Sequence, residues 1–495
     1  MTTNSNLPIK VKKYARFLLI MAGLGGLIYG VDVGVIAAAL PYIRNTSDFS
    51  MVQLGFIVGA VLWGSVLSSL FAGSLSEWFG RKKIIIVAAF CFFISIPIIC
   101  ASGFFEGGNF WLLIFGRTLQ GVSAGLVGVV VPMYLAECLD SENRGKGTGM
   151  FQLLLVIGLA FAAAVGLVVT ALVGDSDKVV ATLAEGARVS VEIHSSWVMA
   201  WQTIFWCSAI PGLILFIGSF ALKESPRWLY KRDRVKEALA SLAANNGEEK
   251  AKEILNEMLA ADQSEKQAKD ATTHKNETLL QRKYIYPFCL AVVILACNQT
   301  TGINSVLNYT VDIFKQTGMT GVFANFSDLS IKLVNVFMTL VACYLVDRKG
   351  RKFLLKIGTS GIIVGLCGVG TVFHVISKGL AEASLATGIV ATIFLFVYIA
   401  FFAVGPGVCV WLALSELMPT RIRATGMSIA MIVNQGISAT IASFFPAWVG
   451  SWGFAPVFYC LAGFTVVYFI AAAFFLPETK GRTLEEIEQF FTTRK

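Results

Sequence analysis

This 495-residue chain is short of charge: Asp, Glu, Lys and Arg together make up 14%, against roughly 25% in an average soluble protein. Histidine is nearly absent, with three residues, and no two of them stand at metal-ligand spacing, so no metal centre is expected. The ten cysteines form no C-x-x-C pair. Nine of them (Cys91, Cys100, Cys207, Cys289, Cys297, Cys343, Cys367, Cys409 and Cys460) lie inside apolar runs and read as small buried hydrophobes rather than disulfide or metal partners. A cleavable leader is not expected either. The apolar run from about Ala15 to Leu40 is longer than a leader core and reads as a first membrane helix.

What is present in excess is apolar side chain, at 56% of the residues. A water-soluble globule of this size could not cover so much of it. That excludes a soluble enzyme, a nucleic-acid binder and a disordered scaffold. The net charge of +9 then needs an explanation other than nucleic acid, and the placement of the charges supplies one.

A helix that crosses a bilayer needs about 20 mostly apolar residues. Twelve runs qualify, near 15–42, 51–76, 83–103, 109–137, 147–173, 197–222, 284–314, 326–346, 353–376, 388–415, 424–449 and 454–476. The first, fourth, seventh and tenth are long, glycine-rich and carry polar residues, as helices lining a polar cavity do. If the N-terminus is cytoplasmic, 33 of the 40 Lys and Arg fall in cytoplasmic segments and 5 in external loops. That asymmetry places both termini in the cytoplasm. The expected organisation is a six-helix half over 1–222, a cytoplasmic helical linker over 223–283, a second six-helix half over 284–479 and a cytoplasmic tail over 480–495. The linker's stretch from Arg232 to Asp262 is rich in Ala, Glu, Lys and Leu and should form amphipathic helices. The external loop 174–196 suggests no chemistry.

The halves repeat one another. Glu77 precedes Arg81 by four residues between spans two and three, as Asp347 precedes Arg351 between spans eight and nine. Glu137 precedes Arg144 by seven at the end of span four, as Glu416 precedes Arg423 at the end of span ten. Duplicated halves with a site between them are the build of many secondary transporters.

With these motifs in place the chain resembles the sugar porter family of the major facilitator superfamily, over nearly its full length. The matching stretches are Gly30-Val-Asp32-Val-Gly-Val-Ile36, Gly80-Arg-Lys82, Arg117 with Pro132-Met-Tyr-Leu-Ala-Glu137, Glu224-Ser-Pro-Arg-Trp-Leu229, Asn298-Gln-Thr-Thr-Gly-Ile-Asn304, Asp347-Arg-Lys-Gly-Arg351, Gly405-Pro-Gly407 with Trp411 and Glu416, and Pro477-Glu-Thr-Lys-Gly481. The resemblance implies an all-α membrane protein of twelve helices that works by alternating access, without a cofactor and without enzymatic activity.

Asp32 sits in the middle of span one. An ionised carboxylate in hydrocarbon is costly, so intramembrane acids face a cavity or a partner. The candidate partner is Arg117 in span four, and a pair that changes with shape would be a proton switch; a static pin between the two spans is the plainer alternative. The resemblance favours coupling, since proton-coupled sugar porters carry Asp here and facilitative relatives carry Asn.

A sugar offers many hydroxyls and no charge, so its site needs amides that donate and accept, and an aromatic face. Candidates are Gln152 in span five, Asn298, Gln299 and Asn304 in span seven, Asn335 in span eight, and Asn434 and Gln435 in span eleven, with Tyr29, Phe402 and Trp411 as aromatics. Helix–helix hydrogen bonding is the ordinary fate of a lone membrane Asn, but seven amides in the presumed cavity argue for more. By resemblance, Gln152, Gln299, Asn304, Asn335, Trp411 and Asn434 fall on sugar-contacting positions. Asn298, Asn308, Ala403 and Gln435 depart from the family pattern, which leaves the sugar open.

Lys332 is unusual, since the family generally has Gly there. One reading is a side chain snorkelling to the outer face and pairing with Asp328 four residues earlier. The other is a second charge in the cavity. The local pair is the expectation. At the cytoplasmic face, Arg81, Glu137, Arg144, Glu224, Asp347, Arg351, Glu416 and Arg423 are implied by the resemblance to form gating ion pairs, and Gly405-Pro-Gly407 lets span ten bend. The function expected is proton-coupled symport of a neutral monosaccharide, by a monomer in the cell membrane. A proton-independent facilitator and a polyol or cyclitol symporter are the alternatives, and a non-transporting sensor fits the short tail less well. The partners are the sugar, the proton and the bilayer, with no nucleic acid.

Overall fold

Long apolar runs have one stable solution in a bilayer, the α-helix, which satisfies its own backbone. The computed structural model describes residues 8–139, 141–177, 180, 191–271, 282–410, 417–418 and 423–478, and every regular element among them is helical. Twelve helices are long and apolar enough to span. They are Ile9–Thr46, Met51–Phe79, Arg81–Phe104, Phe110–Cys138, Gly149–Val173, Glu192–Ser219, Tyr284–Asn308, Gly321–Val346, Arg351–Ser377, Leu385–Val410, Gly426–Trp452 and Phe454–Phe475, called spans one to twelve below. Six precede the linker and six follow it. The linker begins with the short helices Pro226–Lys231, Val235–Asn246 and Glu248–Ala271. They dock through the Asn245 amide, which donates to Cys138 O at 2.6 Å at the end of span four. The end of the bundle that meets the linker is called here the linker end, and the opposite one the loop end.

The repeat seen in the motifs recurs in three dimensions. Spans two and three are joined at Gly80, with φ of 96°, and spans eight and nine at Gly350, with φ of 85°. These left-handed values favour glycine. At each joint a carboxylate that closely follows the sixth span of that half caps the new helix. Glu224 Oε1 accepts from the backbone N–H groups of Arg81 and Lys82 at 2.8 and 3.1 Å. Glu478 Oε1 accepts from Arg351 N at 3.1 Å. Negative charge at a helix N-terminus satisfies free N–H groups and complements the helix dipole.

None of the ten cysteines is in a disulfide, and Cys289, Cys343 and Cys460 are exposed rather than buried. Their apolar surroundings made burial the expectation. In a bilayer, however, an apolar run also has a lipid-facing side, where Phe115, Ile210, Phe337 and Val364 are likewise exposed.

Candidate functional site

Asp32 and Arg117 are fully buried and face each other, with Arg117 Nη1 3.5 Å from Asp32 Oδ1. The close packing that puts them there depends on Gly30: a Cβ at that position would lie 1.8 Å from Leu155 O of span five. Arg117 spends its hydrogen bond elsewhere, donating from Nη1 to Gln120 Oε1 at 2.8 Å, and its guanidinium lies over the Phe205 ring. Neither oxygen of Asp32 has a hydrogen-bond partner among the described residues. The ion contact is therefore loose, and a proton on the carboxylate would remove a charge that its surroundings barely support.

The amides of spans seven and eleven form a connected network. Asn434 Nδ2 donates to Leu295 O at 3.0 Å and Asn434 Oδ1 accepts from Gln299 Nε2 at 3.1 Å. Asn304 Nδ2 then donates to Gln299 Oε1 at 3.1 Å and to Ser438 Oγ at 2.6 Å. Span seven can present both Gln299 and Asn304 because its helix breaks at Gly302, with φ of 79°. The Tyr398 hydroxyl of span ten holds the break by donating to Thr301 O at 3.1 Å. Broken helices are how membrane carriers turn polar groups inward. Ser438 escaped the sequence reading, because a lone Ser on a membrane helix gives no signal until its partner is known.

The remaining candidates stand on other spans or beside the network residues in sequence. Tyr29 lies one turn before Asp32 on span one, and Gln435 of span eleven is buried. Asn298 and Asn335 are buried, and Asn298 Oδ1 has no partner. Gln152 and Phe402 are half-buried, and Phe402 immediately precedes the π-helical turn Ala403–Gly407 that contains Pro406. Trp411 lies outside the described residues.

Among the eight charges at the linker end, Arg81 and Glu137 meet within the first half at 2.9 Å. The Ser225 hydroxyl donates to the other Glu137 oxygen, and Glu224 and Arg351 take part in the helix caps described above. The side chains of Arg144, Asp347, Glu416 and Arg423 lie outside the described residues.

The loop end holds an ion network that sequence reasoning missed. Arg44, at the end of span one, contacts Asp177 at 2.9 Å and Asp312 at 3.1 Å. Lys315, beyond span seven, contacts Asp175 at 2.7 Å and Asp177 at 2.8 Å. Asp175 Oδ2 also accepts from Gly321 N, the first residue of span eight, at 2.6 Å. Each contact except Arg44–Asp177 joins the six spans before the linker to the six after it. Backbones also approach closely here, since a Cβ on Gly55 would lie 2.0 Å from Ser443 O and one on Gly59 1.9 Å from Ser443 Oγ. The loop 174–196 had offered no chemistry because its acids find their partners far away in sequence.

Lys332 pairs with Asp328 at 2.7 Å, and both side chains are fully buried. The local pair is present, but the side chain does not snorkel. Span eight starts at Gly321, five residues before the sequence-based boundary. That puts Lys332 about 17 Å down the helix, beyond the roughly 6 Å reach of its stem.

The bundle of twelve spanning helices, with a buried ion pair in its first half and an amide network in its second, is that of a multi-pass membrane carrier. The chain belongs to the sugar (and other) transporter family, which it matches over residues 18–491. It is 31% identical over 481 residues to the probable metabolite transport protein CsbC of Bacillus subtilis, covering 97% of this chain and 95% of that one. It is 28% identical over 490 residues to the arabinose-proton symporter of the same organism, covering 98% and 97%. Glucose transporter GlcP of Staphylococcus epidermidis is 30% identical over 488 residues, covering 97% of each. Among solved structures, the inward open conformation of the xylose transporter XylE from E. coli superposes with a TM-score of 0.77 at 24% identity, covering 96% of this chain and 100% of that one.

Proposed function

We propose that this chain is a proton-coupled symporter of a neutral monosaccharide, a hexose or pentose, working by alternating access in the cell membrane with both termini cytoplasmic. The observation that carries the reading is Asp32: a fully buried carboxylate, 3.5 Å from a buried Arg117, with no hydrogen bond to either oxygen among the described residues. Protonation from one side and release to the other, tied to which end of the bundle is open, would couple the proton gradient to sugar movement. The connected amides Gln299, Asn304 and Asn434, with Gln152, Asn298, Asn335 and Gln435 around them, suit a ligand that is all hydroxyls, and Tyr29, Phe402 and Trp411 supply apolar faces. Symport by the arabinose-proton relative supports the reading.

The loop-end ion network supports a picture in which the loop end is closed in this structure and the site communicates with the linker end. On that picture the loop end is external and the charges at the linker end form the cytoplasmic gate. The division into halves at 1–222 and 284–479, with the linker 223–283 and the tail 480–495, and function as a monomer, belong to the same proposal. Uptake of a panel of labelled sugars into proteoliposomes tests it. A sugar accumulated only when the outside is acidic supports symport, and uptake that equilibrates regardless of the gradient contradicts it.

A further inference from the structure

We propose that Asp328 and Lys332 form a specificity-determining part of the substrate site, a buried charged pair that holds two adjacent hydroxyls of the sugar; this rests on the sugar-carrier reading above. The pair has no reason of its own to exist. Two charges buried among helices favour a membrane protein only when their remaining hydrogen-bonding positions are filled. Here they are not. Asp328 Oδ1 is buried without a hydrogen-bond partner among the described residues. Lys332 Nζ makes one hydrogen bond, to Asp328 Oδ2 at 2.7 Å, and an ammonium has three N–H groups to give. One acceptor and two donors are left side by side.

Their position is as specific as their chemistry. Residues 325, 328, 332 and 335 fall on one face of a helix. Asn325 shows what that face meets: its Nδ2 donates to Thr170 Oγ1 of span five at 3.3 Å, across to the first six spans. Asn335, at the other end of the stripe, is buried and is one of the amides assigned to the sugar. Asp328 and Lys332 therefore lie between a residue that touches the other half and a residue of the site. Both side chains are fully buried.

Adjacent hydroxyls of a sugar offer a donor and an acceptor side by side, and a carboxylate paired with an ammonium offers the complement. One hydroxyl donates to Asp328 Oδ1 and the neighbouring oxygen accepts from Lys332 Nζ. The ligand class is a neutral polyhydroxylated ring with a vicinal diol. A site built this way rejects an analogue lacking one hydroxyl, because the analogue leaves a buried charge unserved. A pair that merely braces the helices has no such selectivity.

The experiment is competition against uptake of the best labelled sugar, using the parent sugar and its monodeoxy analogues, with the full-length carrier in proteoliposomes. The wild type should show one or two analogues competing at least about tenfold worse than the parent. Lys332→Met leaves Asp328 buried alone and can fail to fold, so two further proteins are used: the double variant Asp328→Lys/Lys332→Asp, which keeps the ion pair but reverses donor and acceptor, and Asp328→Asn/Lys332→Gln, which removes the charges. In whichever of these folds, the penalty for those analogues should fall to about twofold or less. The inference is overturned if the analogues keep their wild-type ranking and ratios in a folded variant, which makes the pair a brace. It is also overturned if a sugar acid competes better than its neutral parent in the wild type, which makes Lys332 an anion site. A wild-type carrier that moves no neutral sugar removes the reading beneath and this inference with it; one that moves sugar but discriminates against no deoxy analogue removes only this inference.

Discussion

Lys315 Nζ lies 2.7 Å from Asp175 Oδ1, and the two residues belong to opposite halves of the chain. With Arg44, Asp177 and Asp312 they form a network of ion pairs over the loop end of the bundle. If this network holds the loop end shut, weakening it must make that end open more often. Lys315→Met removes two contacts at once. It should speed maleimide labelling of a cysteine placed at Thr170, in a background without other cysteines, by about tenfold, because one lost charge-assisted bond is worth roughly 1.5–3 kcal/mol. An unchanged labelling rate would mean that the network does not govern access.

The network also has a pH dependence. Burial alone would raise the Asp177 carboxyl, but Lys315 and Arg44 outweigh it and hold the group below the ordinary Asp value. A carboxylate lowered in the folded protein contributes stability that is fully present above its unfolded value, about pH 4, and lost as pH falls through the lower folded value. Thermal stability in detergent should therefore hold from neutral pH down to about pH 4 as far as this group is concerned. It should then decline more steeply in the wild type than in Asp177→Asn. Parallel declines for the two proteins would remove Asp177 from the account.

In the amide network each residue positions the next. Gln299→Ala leaves Asn434 Oδ1 and one bond of Asn304 without partners. Sugar affinity should weaken by about 1–3 kcal/mol. Ser438→Ala should weaken it less, since Asn304 keeps its bond to Gln299. Equilibrium binding measured by calorimetry decides, and wild-type affinity in Gln299→Ala would move the sugar elsewhere.

Glu224 and Glu478 are matched caps in the two halves, and neutralising either should have the same kind of effect. Glu224→Gln and Glu478→Gln should each lower stability by about 0.5–2 kcal/mol. The deletion of charge should not alter sugar selectivity. A variant that retains full stability would show that the cap is dispensable.

The spans were legible in the sequence because hydrophobic length alone sets them, and their ends moved by only a few residues. The repeat was legible through its charged motifs, but not the caps: Glu478 lies 127 residues from the helix it serves, and only folding brings them together. Asp32 with Arg117, and the amides of spans seven and eleven, could be named because polar residues stand out in apolar runs. What connects them could not be named. Ser438 is too ordinary a residue to notice, and the loop-end acids sit in a segment whose composition says only that it is wet. Lys332 was recognised as paired, yet its depth was misjudged because the helix starts earlier than its hydrophobic stretch does.

The central claim is that Asp32 couples proton to sugar. It is tested most directly by proton movement into proteoliposomes on addition of sugar, read with an entrapped pH dye for the wild type and Asp32→Asn. Sugar should acidify the lumen of wild-type vesicles. In Asp32→Asn it should produce no acidification, while exchange of labelled for unlabelled sugar continues. Sugar-driven acidification that survives in Asp32→Asn would contradict the account.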